Sequence, residues 1–203
     1  MAGGAIDFPA GGIGITTDGE ILLSSSMRGE GPLLKQGKGI LSLAGINSLP
    51  AGITISAGKL RFFSMESLGH GPIRVEGPAS LVPGSANMNM ANAVSIAPGS
   101  RLTLETESPE FTLSGPVSGG GELEKTGRGK LAITGSFDPA VRLTGSLGTI
   151  DFRPSQPVKL DATIKGGLLR AASGSLAEGT KLLISQAGAL AASLPIKSAE
   201  ATT

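Results

Sequence analysis

Apolar residues recur at every second position in short runs along this chain: Leu41 and Leu43, Ile53 and Ile55, then Leu60 and Phe62. This is strand periodicity, because alternate side chains of an extended chain share a face. The runs are cut by Gly37, Gly39, Gly45, Gly52 and Gly58. Leu131 and Ile133, Leu143, then Ile150 and Phe152 repeat the arrangement. Between them Ile73 and Val75, Val94 and Ile96, and Leu102 and Leu104 continue it, punctuated by Gly69, Gly71, Gly77, Gly84 and Gly99. The inward parity shifts between Ile55 and Leu60 and between Leu143 and Ile150, which requires bends near Gly58 and Gly148. Only Asp18-Gly19 has the chemistry of a hairpin turn, and it lies between two weak strands. Short strands joined by corners and stacked in parallel fit this pattern better than hairpins do.

One stretch occurs twice. Residues 29–62 align without a gap on residues 119–152, with twelve of thirty-four positions identical. The shared positions include Leu33/Leu123, Lys35/Lys125, Leu41/Leu131 and five glycine pairs, Gly31/Gly121, Gly37/Gly127, Gly39/Gly129, Gly45/Gly135 and Gly58/Gly148. Such a duplication marks a solenoid, whose units bury their apolar faces by stacking on one another. With about 20 to 25 residues per coil, the ninety-residue offset corresponds to about four coils and the chain to about eight to ten. The expected fold is one all-β solenoid domain over residues 1–203, a rod of roughly 40 to 50 Å at the usual strand spacing. Two segments are less regular. Ser85 to Met90 reads as a bulged corner or an excursion from the coil, and residues 190–203 read as a frayed or capping tail. A helix over residues 186–192 is one reading of this stretch, weakened by Gly188.

Composition narrows the core and the partners. Thirty-two glycines, no tryptophan, tyrosine or cysteine and six phenylalanines leave Leu, Ile, Val and Ala to fill a thin interior. Lys and Arg total 17 against 16 acids, with the signs mixed along the chain, so nucleic acid is not an expected partner. No segment approaches the roughly 20 apolar residues of a transmembrane helix. No export signal is visible at Met1–Gly4, and the lack of cysteine excludes a disulfide scaffold.

The alternation Gly29, Gly31, Leu33, Lys35, Gly37, Gly39, Leu41, Leu43, Gly45, its echo at Gly119 to Gly135, and the continuation Ile53 to Leu60 resemble the autotransporter-associated β-strand repeat, also called the passenger-associated transport repeat. The two cores cover about a third of the chain. The sequence departs from the family's pattern in having Asn47 without a tyrosine, and Phe137 and Asp138 in the second copy. The resemblance implies a right-handed parallel β-helix in a secreted or surface-displayed bacterial protein, and it implies no reaction. The family's usual C-terminal membrane barrel has no counterpart after residue 160.

Candidate chemistry is sparse. His70, the single histidine, lies in Leu68-Gly69-His70-Gly71-Pro72, which reads as a surface corner rather than part of a triad. One histidine and no cysteine make a transition-metal site unexpected, and no cofactor is implied. Glu105, Glu107 and Glu110 are the test case for a carboxylate pair acting on sugars; alternation puts Glu105 and Glu107 on one exposed face, and a solvated face or weak calcium attraction accounts for them. Gly119-Gly120-Gly121 lacks the Lys-Ser or Lys-Thr pair of a phosphate loop and reads as corner glycines. Lys35, Lys38, Lys125 and Arg128 recur at matching places, and are expected along related edges of the rod, as solubilising charges or as an adhesive stripe.

Three functions follow in order: a non-catalytic stalk, spacer or self-associating fibre segment outside a bacterial cell; an adhesin passenger binding a cell-surface or matrix partner through Lys35, Lys38, Lys125 and Arg128; and a polysaccharide-cleaving enzyme using Glu105 and Glu107. No charged cap is visible at Gly11 to Ile15, so end-to-end association of copies is expected under the first.

Overall fold

A computed structural model describes residues 4–107, 109–185 and 187–192. Regular structure among them is entirely strand, and the strand ladders are all parallel. The chain forms a β-solenoid in which each turn visits three sides in the same order. Side 1 carries six strands, from Ile13–Thr16 to Val117–Gly119. Side 2 carries nine, from Glu20–Leu23 to Lys181–Ile184. Side 3 carries the pair Ile6–Phe8 and Met27–Gly29 and, further along, six strands from Met88–Met90 to Gly188–Ala192. The stack on side 2 sets the count at about nine turns, about 40 Å at 4.8 Å per strand.

The alternating apolar residues point inward and stack in columns. On side 1 the column runs Ile13, Leu33, Ile53, Ile73, Val94, Val117. On side 2 it runs Ile21, Leu41, Leu60, Leu81, Leu104, and on side 3 Met88, Phe111, Leu131, Ile150, Leu169. Away from the ends these side chains are almost wholly buried, each stabilising the fold by roughly 1.5–3 kcal/mol relative to exposure. Four of the six phenylalanines bridge between sides: Phe62 meets Phe111 edge-to-face at 6.1 Å, and Phe137 meets Phe152 at 5.4 Å. Strand edges are paired within much of the stack, so unpaired edges concentrate at its two ends, at a break on side 3, and on side 1 beyond Gly119, where the isolated bridges Val117–Phe137 and Val158–Leu176 replace strands.

That break is local chemistry. Ser67 N–H donates to Ser64 O, Leu68 N–H to Met65 O and Gly69 N–H to Glu66 O, a tight turn in place of a strand. Asn47 repairs the ladder beside it: its Oδ1 accepts Met27 N–H at 2.8 Å and its Nδ2 donates to Ser67 O at 2.6 Å. Asn92 does similar work on the far side, donating to Gly69 O and Gly71 O. The Ser85 to Met90 segment stays within the coil: Asn87 bends the chain at φ 54°, and Met88–Met90 is a regular strand. Asp18-Gly19 is a corner between strands on different sides, not a hairpin. Gly188–Ala192 pairs in register with Gly167–Ala171, so a helix does not form there. The rest of the expected tail, 193–203, lies outside the described residues.

The duplication is not a whole number of turns. On side 1 Leu33 is followed by Ile53, Ile73, Val94 and Val117 over four turns, and the chain then passes to side 2 before reaching Leu123. Strands Leu33–Gln36 and Ile40–Leu43 lie on sides 1 and 2, whereas their sequence equivalents Glu122–Thr126 and Lys130–Ile133 lie on sides 2 and 3. The second copy is therefore rotated by one side about the axis. This corrects the expectation of a four-coil offset, and it follows from turns of 19 to 23 residues: Leu41 to Leu60 is 19, Leu33 to Ile53 is 20 and Leu81 to Leu104 is 23.

Candidate functional site

The corner glycines meet two demands, a left-handed backbone and close approach between turns, and the left-handed ones meet both: a Cβ on Gly37 would lie 2.3 Å from Thr17 O. Gly37, Gly58, Gly127 and Gly148 have φ of 74°, 75°, 81° and 76°, a region L-residues rarely adopt. Gly31, Gly39, Gly45, Gly121 and Gly135 do not; they are sites of close approach between turns. A Cβ on Gly39 would lie 2.0 Å from Gly19 O, and one on Gly135 would lie 2.2 Å from Gly115 O. Gly129, at the equivalent of Gly39, donates its N–H to Thr106 O at 2.9 Å, as Gly39 donates to Thr17 O at 2.8 Å. The Gly119-Gly120-Gly121 run is a corner as well: Gly119 has φ 111°, and a Cβ on Gly121 would strike Ile96.

The two lysines at the centre of the repeat are inside the solenoid. Lys35 takes the inward place between Ile15 and Ile55 on side 1, and Lys125 that between Leu104 and Gly145 on side 2. Both have no exposed surface. Lys35 Nζ donates to Gln36 O and Gly37 O, each at 2.8 Å, and to Ala57 O at 3.2 Å, which uses all three of its protons. Lys125 Nζ donates to Thr126 O at 3.0 Å and Gly127 O at 2.5 Å. The left-handed glycine at each corner turns these carbonyls toward the ammonium. Gly148 completes the corner in the next turn, where a Cβ would stand 2.7 Å from Lys125 Nζ.

Burial lowers the pKa of Lys35 from the ordinary lysine value, opposed by the Asp18 carboxylate. It lowers Lys125 to about 8, opposed by Glu107. The same acids hold the corner backbone: Asp18 accepts Lys38 N–H at 3.1 Å and Glu107 accepts Arg128 N–H at 3.4 Å. Lys38 and Arg128 are themselves exposed. They stand at different corners, Lys38 between sides 1 and 2 and Arg128 between sides 2 and 3. The expected basic stripe of Lys35, Lys38, Lys125 and Arg128 is thus not formed: two members are buried and two face different edges, because the copies differ by one side.

The carboxylates are dispersed into ion pairs. Glu105 meets Lys59 at 2.8 Å on side 2, and Glu110 meets Lys130 at 2.8 Å on side 3. Glu107, at the corner between them, is the partner of Arg128 just described. His70 is exposed next to the side 3 turn. Among the described residues no group of three or more His, Cys, Asp or Glu side chains is placed to hold a metal ion. A shallow cleft near Arg153, Gln156 and Ser173 has one charged lining residue, Arg153, which pairs with Asp151 at 3.2 Å.

Sequence reasoning missed the ordering of charge on the outer face of side 2. Arg101, Glu122, Arg142, Asp161 and Lys181 stand in one register column with alternating sign. Arg101 reaches Glu122 at 3.1 Å and Glu124 at 3.4 Å, while Thr144 donates to Glu122 at 2.6 Å. Alternation at a spacing of 19 to 21 residues was the available signal, visible once the turn length is fixed. Such a column favours one register, since a slipped turn opposes like charges.

Among the described residues the large exposed apolar groups fall at the side 3 break, where Ile46 is 71% and Phe63 40% exposed, at the two end turns, and at Leu147 on the corner between Arg142–Gly145 and Thr149–Phe152. Comparisons with protein-family models, curated proteins and solved structures give no match. Among the described residues no helix is long and apolar enough to cross a membrane.

Proposed function

We propose that the chain is a non-catalytic structural module, a stiff parallel solenoid that acts as a stalk, spacer or fibre segment of a bacterial surface or secreted protein. The observation that carries this reading is the unbroken nine-strand stack on side 2, with its inward aliphatic column and its outward column of alternating charge. Both features invest the residues in stacking turn on turn. The resemblance of residues 29–62 and 119–152 to the passenger repeat supports the extracellular setting. The dispersal of Glu105 and Glu110 into pairs with Lys59 and Lys130 supports a role without turnover.

A second reading, a passenger that binds a surface partner, is favoured by exposed Ile46 and Phe63 beside the side 3 break. The test is a panel of uronic and neutral polysaccharides and of cell and matrix preparations. The structural reading expects neither turnover nor saturable binding. Turnover lost in an E105Q/E107Q variant would overturn it in favour of an enzyme, and binding lost in an I46S/F63S variant would overturn it in favour of an adhesin.

A further inference from the structure

We infer that the two end turns of this solenoid are complementary, and that a second copy of the chain docks its Glu20–Leu23 end onto the Lys181–Ile184 end. This rests on the structural-module reading and specifies its partner. In the first turn Ile6, Phe8, Ile13, Ile15, Ile21 and Leu23 are only partly buried. Side chains of the next turn at the same register, Met27, Leu33, Lys35, Leu41 and Leu43, are completely buried. The far end repeats the situation. Leu176, Leu182 and Leu190 are partly buried and Ile184 is 37% exposed, over buried Val158, Ala162, Leu169 and Ile164. Each end thus presents an inward-facing apolar rim contributed by all three sides.

The outward residues of side 2 point to the partner. Leu22 is 60% and Leu183 58% exposed, both mid-strand on the outer face. Their register neighbours one turn inward are polar, Ser42 beside Leu22 and Thr163 beside Leu183. A leucine replaces a hydroxyl residue at the outer face in the terminal strand at each end. The terminal strands also share one pattern, Glu20-Ile21-Leu22-Leu23 and Lys181-Leu182-Leu183-Ile184. Laid in parallel, Glu20 opposes Lys181, Leu22 meets Leu183 outside, and Ile21 and Leu23 meet Leu182 and Ile184 inside. Glu20 is already paired with Arg61 of its own chain at 3.1 Å and would share its carboxylate with Lys181; the opposite charges select this pairing over Glu20 against a second Glu20. Because the two surfaces differ, the contact is head-to-tail and propagates into filaments.

The chain contains no cysteine, so L22C and L183C chains, prepared separately and mixed under mild oxidation, report the contact directly. The expected product is the mixed L22C–L183C dimer, with neither variant alone forming a comparable disulfide. In sedimentation velocity the cysteine-free chain forms concentration-dependent oligomers. E20K weakens association about tenfold, as expected for opposed like charges, and the E20K/K181E chain recovers it. Monomers at all concentrations, a dominant L22C–L22C product, or association unchanged by E20K would overturn the inference. Retained circular dichroism shows that a variant has folded. A monomeric rod without turnover or binding would refute the docking and leave the structural-module reading standing, whereas turnover or partner binding would refute that reading whatever the oligomeric state.

Discussion

Lys125 stands in register with Leu104 on side 2, an ammonium in a column otherwise built largely of aliphatic side chains, and turns back onto the carbonyls of Thr126 and Gly127. Lys35 makes the same arrangement on side 1. The lysine holds the corner by hydrogen bonds, at the expense of desolvating its own charge.

The pKa of Lys125 falls from 10.5 in the unfolded chain to about 8 in the folded one. Between those values the unfolded state binds more protons, so folding stability from this group rises with pH. The cost of burying the charge is fully present below about pH 8, shrinks above it and is gone above about 10.5. Urea midpoints measured from pH 7 to 11 are expected to rise for the wild type relative to K125M through this window, with K35M showing a difference of the same sign. A wild-type minus K125M difference that is flat or falls with pH would contradict the buried ammonium.

Glycines that look alike in sequence divide on substitution. G39A forces a Cβ to within 2.0 Å of Gly19 O, and relieving such a backbone clash costs about 1–3 kcal/mol or more. G37A combines strain at φ 74°, about 1 kcal/mol, with a Cβ 2.3 Å from Thr17 O, so it is expected to cost at least as much as G39A. Gly14 has nothing within 4 Å of its would-be Cβ and no positive φ, so G14A is expected to be neutral or slightly stabilising. Thermal unfolding of the three variants checks the order.

Asn47 joins Met27 N–H to Ser67 O across the irregular turn on side 3. N47A leaves a buried donor and a buried acceptor without partners, at about 1–3 kcal/mol each. N47D restores an acceptor for Met27 N–H but offers no donor to Ser67 O, so it is expected to recover at most part of the loss. Hydrogen exchange should show faster opening at Met27 and Ser67 in both variants.

Phe111 is fully buried and packs edge-to-face on Phe62 across two sides. F111A is expected to cost about 3–5 kcal/mol, while R101A, which removes an exposed partner of Glu122 and Glu124, should cost no more than about 1 kcal/mol. Denaturant unfolding separates a core held by stacking from one held by surface charge.

The solenoid was legible because its two periods are local. Alternation at Leu41/Leu43 and Ile53/Ile55 specifies strands, and glycines such as Gly58 mark where parity must change. Placement around the axis was not legible, because a three-sided turn of variable length places equivalent residues on different sides. One side of displacement separates Lys38 from Arg128 and dissolves the basic stripe. The burial of Lys35 and Lys125 was hidden for a related reason. Each lies on the inward parity of its strand, with Leu33 and Leu123, but a lysine at such a position reads as surface until the corner carbonyls that receive it are known. Glu105 and Glu110, five residues apart, fall on adjacent sides, so spacing alone could not show that each would find a lysine from another turn.

The most direct measurement uses two pairs of cysteines in the cysteine-free chain. Ser95 is the register partner of Ser118 on side 1, one turn away, whereas Thr112 is nearer to it in sequence and lies on side 3. The solenoid predicts that S95C/S118C forms an intrachain cross-link with a short thiol reagent and that S95C/T112C does not. Cross-linking of the S95C/T112C pair in preference to S95C/S118C would contradict the three-sided parallel stack.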